Sequence, residues 1–382
     1  MSALYEDTGQ RARVMARVRK VVVKVGTRLL TGVRGASTAE RVEQLVGALA
    51  AMRQQGNEVI LVTSGAIGSG MLVLGTPRRP TSLPELQAHA AVGQSHLMFL
   101  YETACAKHGF HCGQMLLTAA DVKDRERHLN LRSCLDSLLA SGVLPVINEN
   151  DSVSIDEIKF GDNDMLAALV AVMARADLTV LLTSIDGLHE MTDGKLGRRY
   201  SVVRRLDDTV RAQAGDTSDH TFSVGGMRTK LRAAEYVTRA GESLVIADGL
   251  SFNILADILA GKDVGTLFIG RAPSRMPSHQ RFLAFFSRPA GELVIDDGAC
   301  RALREQGRSL LPSGITAVRG RFARGDTVRV LAADGTEVAR GVSCYSAEDA
   351  ARIAGHRTNE IRALLGCDGD DAVVHRNHMV LS

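Results

Sequence analysis

Val59-Ile60-Leu61-Val62-Thr63-Ser64-Gly65-Ala66-Ile67-Gly68-Ser69-Gly70 begins as an unbroken apolar run, stops at two hydroxyl residues and opens into glycines. Such a run reads as a strand buried on both faces. The glycines after it leave backbone N–H groups open to an anion just before a helix can begin. The stretch fits neither the G-x-x-x-x-G-K-[ST] phosphate loop nor G-x-G-x-x-G, and a glycine-rich strand-to-helix turn also occurs as plain packing.

The same pattern recurs on both sides of it. Val21 to Val25, Val143 to Ile147, Leu178 to Leu182 and Leu244 to Ile246 are further buried-strand runs. Between them lie stretches of helical period, such as Val42, Leu45, Val46 and Leu49 before Gln55-Gly56, and Leu166 to Ala174. Strand, helix, strand, helix predicts an α/β fold: a mainly parallel sheet sandwiched by helices, with ligands outside the carboxyl ends of the strands. From about Arg288 the texture changes to short strands and turns, Gly291 to Ile295, Ile315 to Gly320 and Thr327 to Leu331, with Asp334-Gly335 as a hairpin turn. Two domains are therefore expected, 1–287 and a small β-rich one over 288–382.

Composition narrows the function classes. The 382 residues are 45% hydrophobic and 23% charged, with 37 Gly against 8 Pro, which excludes a disordered or collagen-like chain. The longest apolar run of weight, Met165 to Ala174, is ten residues, well short of the ~18 that suggest a membrane helix. Met1 to Gln10 contains Glu6 and Asp7 and no apolar signal core, so a cytoplasmic home and no membrane partner are expected. The cysteines at 105, 112, 134, 300, 344 and 367 show no C-x-x-C spacing and read as free thiols. Net charge is +3, and the stretch from Arg288 onward holds thirteen Arg, no Lys and thirteen Asp plus Glu. Arg319, Arg321 and Arg324, or Arg11, Arg13, Arg17, Arg19 and Lys20, are then solvated faces rather than the basic footprint of RNA binding.

The candidate site residues follow the strands. Val23-Lys24-Val25-Gly26-Thr27 sets a cation and a bare backbone at a strand end; a strand lysine snorkelling beside a turn glycine has the same appearance. Pro145-Val146-Ile147-Asn148-Glu149-Asn150-Asp151 and Gly161-Asp162-Asn163-Asp164 concentrate carboxylates and amides. A helix cap requires one such residue, whereas this density suits a small zwitterion, its ammonium met by carboxylates and its carboxylate by amide N–H groups. Ser223-Val224-Gly225-Gly226-Met227-Arg228-Thr229-Lys230 is a second glycine loop carrying a lysine. Two lysines on separate loops, held by Asp164, are what phosphoryl transfer uses, because its charge spreads over oxygens that cations must clamp.

In order along the chain, these segments resemble the glutamate 5-kinases of the amino-acid kinase superfamily. Ala91-Val92-Gly93-Gln94-Ser95, Gly113-Gln114-Met115-Leu116-Leu117-Thr118 and Asp124-Arg125-Glu126-Arg127 add to the match. The tail resembles a PUA domain through Ile295-Asp296-Asp297-Gly298-Ala299, Ser309-Leu310-Leu311-Pro312-Ser313-Gly314-Ile315, Arg324-Gly325-Asp326 and Val373-Val374-His375-Arg376. The resemblance implies ATP-dependent phosphorylation of the side-chain carboxylate of L-glutamate, the first step of proline biosynthesis, with Mg²⁺. It implies Lys24, Lys230 and Asp164 as catalytic residues. ATP would meet Lys24, Thr183, Ser184 and the loop Val224, Gly225, Gly226, Met227, Arg228, Thr229 and Lys230. Glutamate would meet Ser64, Gly65, Ala66, Asp151, Asp162 and Asn163. No side chain is assigned to the metal. The family often has Asp where Ser184 stands and Thr where Val224 stands, which leaves nucleotide preference open. The resemblance also implies a homo-oligomer (dimer or tetramer), proline as feedback inhibitor and glutamyl phosphate reductase as a partner.

Overall fold

The expected strand runs form the middle of one eight-stranded sheet. The structure is a computed structural model, and it describes residues 9–31, 35–153, 163–192, 195–213, 226–270, 277–366 and 369–382. Its first strands are β1 (Lys20–Val25), β2 (Glu58–Val62), β3 (Cys112–Leu117), β4 (Leu144–Glu149) and β5 (Leu178–Thr183). A small hairpin, β6 (His189–Thr192) with β7 (Lys195–Arg199), stands apart, and β8 (Val202–Val203), β9 (Ser243–Asp248) and β10 (Thr266–Phe268) complete the sheet. The order is β3-β4-β2-β1-β5-β9-β10-β8. All neighbours pair parallel except β9 with β10. Val21, Val22, Val23 and Val25 are fully buried, as a central parallel strand covered on both faces requires.

Helices cover the sheet. In α1 (Thr38–Gln54) the apolar stripe Val42, Leu45, Val46 and Leu49 is wholly buried, and a Ser37–Glu40 capping box starts the helix. Helix α2 (Ala66–Leu74) lies against α3 (Leu83–Ala106) at backbone distance. A Cβ on Gly70 would fall 1.9 Å from the His89 carbonyl oxygen, and one on Gly93 would fall 1.8 Å from that of Ala66. Only glycine permits that approach. Helix α4 (Asn163–Ala174) is buried along nearly its whole length, in keeping with its unbroken apolar run, and α5 (Met227–Arg239) packs beside it. Arg11, in the basic run near the start, is buried and donates to the carbonyls of Ser201, Val264 and Gly265 at 2.6, 2.8 and 2.6 Å, so it braces loops.

The chain divides into two compact units, Met1–Val122 with Glu126–Arg275 and Lys123–Arg125 with Met276–Ser382. The second unit thus begins upstream of 288. The reason is α6 (Ser278–Phe285), which packs on the second unit's own strands, with Leu283 and nearby Phe286 buried. That unit carries a five-stranded sheet of β11 (Gly291–Ile295), β12 (Ile315–Gly320), β13 (Thr327–Leu331), β14 (Glu337–Ser343) and β15 (Val374–Leu381), in the order β12-β11-β13-β14-β15. The Asp334-Gly335 turn joins β13 to β14, with Gly335 at φ +84° and the Thr336 N–H on Asp334 Oδ1 at 2.8 Å. Strands β11 and β13 pair parallel, which short strands and turns do not announce. Among the described residues Cys105, Cys112, Cys134, Cys300 and Cys344 are free, and no helix is long and apolar enough to cross a membrane.

Candidate active site

Strands β4, β2, β1 and β5 are consecutive neighbours and parallel, so their carboxyl ends share one edge of the sheet. At that edge Lys24, next to last in β1, sends its ammonium to Asp164 Oδ1 at 2.7 Å. Lys230, in the first turn of α5, reaches Oδ2 of the same carboxylate at 2.9 Å. Asp164 is completely buried, and Lys24 and Lys230 are 7% and 6% exposed. Burial pushes the Asp164 carboxyl up, but the two ammonium groups pull it down further, so it lies below the ordinary carboxylate range and stays ionised. One carboxylate thus gathers two ammonium groups in a place shielded from water. Such a site attracts an anion.

The backbone around it is bare. A Cβ on Gly26 would stand 3.5 Å from the Lys24 ammonium, so a longer side chain would crowd it. Gly65 sits at φ +108°, a left-handed conformation that favours glycine, and precedes α2 with no side-chain cap. The first N–H groups of that helix are therefore open to a ligand. Gly226 likewise precedes α5 without a side-chain cap.

Amides tie the neighbouring loops together. Asn163 Nδ2 is shared among the Thr63 carbonyl (2.6 Å), Ser64 Oγ (2.6 Å) and Asn148 Oδ1 (3.0 Å). The start of α4 is thereby fixed to the ends of β2 and β4. Asn148 Oδ1 also accepts from the Glu149 backbone N–H at 2.9 Å, and Asn148 Nδ2 donates to Gln94 Oε1 at 3.0 Å. Thr63 hydrogen-bonds the Tyr101 hydroxyl at 2.7 Å. Burial pushes the Tyr101 phenol up, which keeps it neutral.

The model of the amino acid kinase family matches residues 19–248 and the PUA domain model residues 291–365. Glutamate 5-kinase of Trichlorobacter lovleyi is 44% identical, covering 97% of this chain and 99% of its own length. Those of Geobacter metallireducens and Escherichia fergusonii are 44% and 42% identical over 97% and 96% of this chain and all of their own. The chain belongs to the amino acid kinase family, among the glutamate 5-kinases. Its first unit carries the amino acid kinase fold, and a PUA domain follows.

The structure brings together Lys24, Asp164 and Lys230, and it joins Ser64 to Asn163. Thr183 ends β5, with Ser184 exposed just beyond it. Met227, Arg228 and Thr229 form the first turn of α5, where Thr229 Oγ1 donates to the Gly226 carbonyl at 2.8 Å. Asp151 lines a cavity of about 230 Å³ together with Ala66, Gln94, Gln114 and Glu149. Asp162, Val224 and Gly225 lie outside the described residues. The sequence places Asn148 in the amide-rich stretch suited to a zwitterion without singling it out, and gives Gln94 no part. Their signal is a polar residue directly continuing a buried strand, Asn148 being 2% exposed, and a glutamine on the face of a helix that turns inward.

Proposed function

We propose that this chain transfers the γ-phosphoryl group of ATP to the side-chain carboxylate of L-glutamate, giving ADP and L-glutamyl 5-phosphate, the first step of proline biosynthesis. The observation that carries the reading is the Lys24–Asp164–Lys230 cluster, in which two lysines from distant parts of the chain converge on one buried carboxylate. The glutamate side chain, with a carboxyl pKa of roughly 4.3 in free solution, is already ionised near neutrality. No general base is needed. The two reacting anions must instead be held together while charge develops on the transferred oxygens.

In this reading Lys24 approaches the phosphates from β1 and Lys230 from α5. Asp164 spaces the two ammonium groups, and the open N–H groups at Gly65 and Ala66 receive oxygens opposite them. Thr183, Ser184 and the loop from Val224 to Lys230 take the nucleotide. Ser64, Gly65, Ala66, Asp151, Asp162 and Asn163 take glutamate. Both oxygens of Asp164 are engaged by ammonium groups, so this carboxylate is spoken for. Mg²⁺ would accordingly be held by the nucleotide's own phosphates rather than by Asp164, and would supply neutralisation of oxygen charge.

The same reading extends to a cytoplasmic enzyme that assembles as a homo-oligomer, is inhibited by proline and hands its labile acyl phosphate to glutamyl phosphate reductase. Exposed Leu72, Val73 and Leu74 on α2 and Phe99 on α3 support self-association. Purified protein supplied with ATP, Mg²⁺ and hydroxylamine should form the hydroxamate with L-glutamate. No product with glutamate, alongside turnover of acetylglutamate, aspartate, carbamate or uridylate, would reassign the acceptor.

A further inference from the structure

The amide relay beside the site ends on a donor that meets no acceptor among the described residues. The Glu149 backbone N–H can only donate, which fixes Asn148 Oδ1 as the oxygen facing it and Asn148 Nδ2 as the nitrogen facing Gln94. Gln94 therefore turns its own oxygen to Asn148, and Nε2 is its remaining atom. Gln94 is 8% exposed, and Nε2 is buried with no hydrogen-bond partner among the described residues. A buried N–H pair without an acceptor is costly and rare in a folded protein. Gln94 lines the cavity of about 230 Å³ that also holds Glu149 and Asp151.

We propose that Gln94 is a specificity-determining residue, donating from Nε2 to the α-carboxylate of the amino-acid acceptor. This inference rests on the glutamate kinase reading and deepens it. The reacting carboxylate must lie at the lysine end of the relay, where Asn163 adjoins Asp164. Gln94 lies at the other end, beyond Asn148. There the carboxylates of Glu149 and Asp151 suit an ammonium and repel a second carboxylate, so a neutral amide is the group left to receive one. The cavity thereby recognises both charges of an α-amino acid.

Gln94→Glu tests this with almost no change of shape. In the variant a carboxylate faces the α-carboxylate of glutamate, whereas L-isoglutamine, glutamate with an α-amide, offers an N–H in its place. The ratio of kcat/KM for glutamate to that for isoglutamine should fall by roughly tenfold or more relative to the parent chain. Gln94→Leu should raise KM for glutamate by a similar factor and leave KM for ATP nearly unchanged. Because the ratio is taken within one enzyme preparation, partial misfolding cancels. An unchanged ratio means that Gln94 only props Asn148 and overturns the assignment while the glutamate reading stands. A parent chain inert toward glutamate overturns both.

Discussion

Asp164→Asn removes one negative charge from between two buried ammonium groups and leaves the shape of the side chain alone. At 2.7 and 2.9 Å, with an effective dielectric constant of about 20, each contact is about 6 kcal/mol of direct attraction. Much of that is offset by taking three charges out of water. The cost of removing one partner from a buried ion pair is better gauged at about 3–5 kcal/mol, since the remaining charges stay buried and now repel. Thermal unfolding near pH 7 should therefore come roughly 10 °C earlier in the variant. The loss should shrink when ATP is bound, because its phosphates restore negative charge beside the lysines. The pH dependence supplies an internal control. The folded-state pKa of Asp164 is depressed, so its stabilisation is fully present above the unfolded carboxylate value of about 3.9 and is lost as pH falls through the lower folded value. The gap in stability between parent and variant should stay level from pH 8 to pH 5 and close below about pH 4. Calorimetry across that range is the assay. A variant that melts with the parent at neutral pH, or a gap that persists undiminished in acid, would refute the account of the cluster.

Lys24→Ala and Lys230→Ala should each lower kcat by about 10² or more, as loss of other electrostatic stabilisers of a transition state does, and single-turnover kinetics would reveal near-normal rates if the lysines are bystanders. Asp151→Ala should raise KM for glutamate with little change in KM for ATP; the reverse split would move that loop to the nucleotide. Gly93→Ala places a methyl group 1.8 Å from the Ala66 carbonyl oxygen. It should push α2 from α3, destabilise by at least about 1–3 kcal/mol and weaken glutamate binding through the shifted start of α2, and normal melting with normal KM would show that the two helices are not held by that contact.

The sequence by itself determined five strands of the first sheet and three of the second, and where their polar ends lie; short or less apolar strands such as β3, β8 and β10 carry no such run. An unbroken run such as Val21 to Val25 has to be covered on both faces, and the stripe from Val42 to Leu49 has to face a core, whatever surrounds them. The ordered motifs likewise fixed the family, although the two lysines expected on loops lie in regular elements, Lys24 inside the end of β1 and Lys230 in the first turn of α5. Strand order was beyond its reach. It comes from pairing between segments far apart in the chain, and together with the packing of α4 against α5 it brings the end of β1 and two helix starts to one place, so that two distant lysines meet on one carboxylate. The antiparallel pairing of β9 with β10 and the parallel pairing of β11 with β13 belong to the same class of fact. So does the Gln94 Nε2 that has no acceptor among the described residues, since a missing hydrogen bond is defined only by everything packed around it. Local chemistry dictates what each segment is, and tertiary packing decides which groups are neighbours and which are left without one.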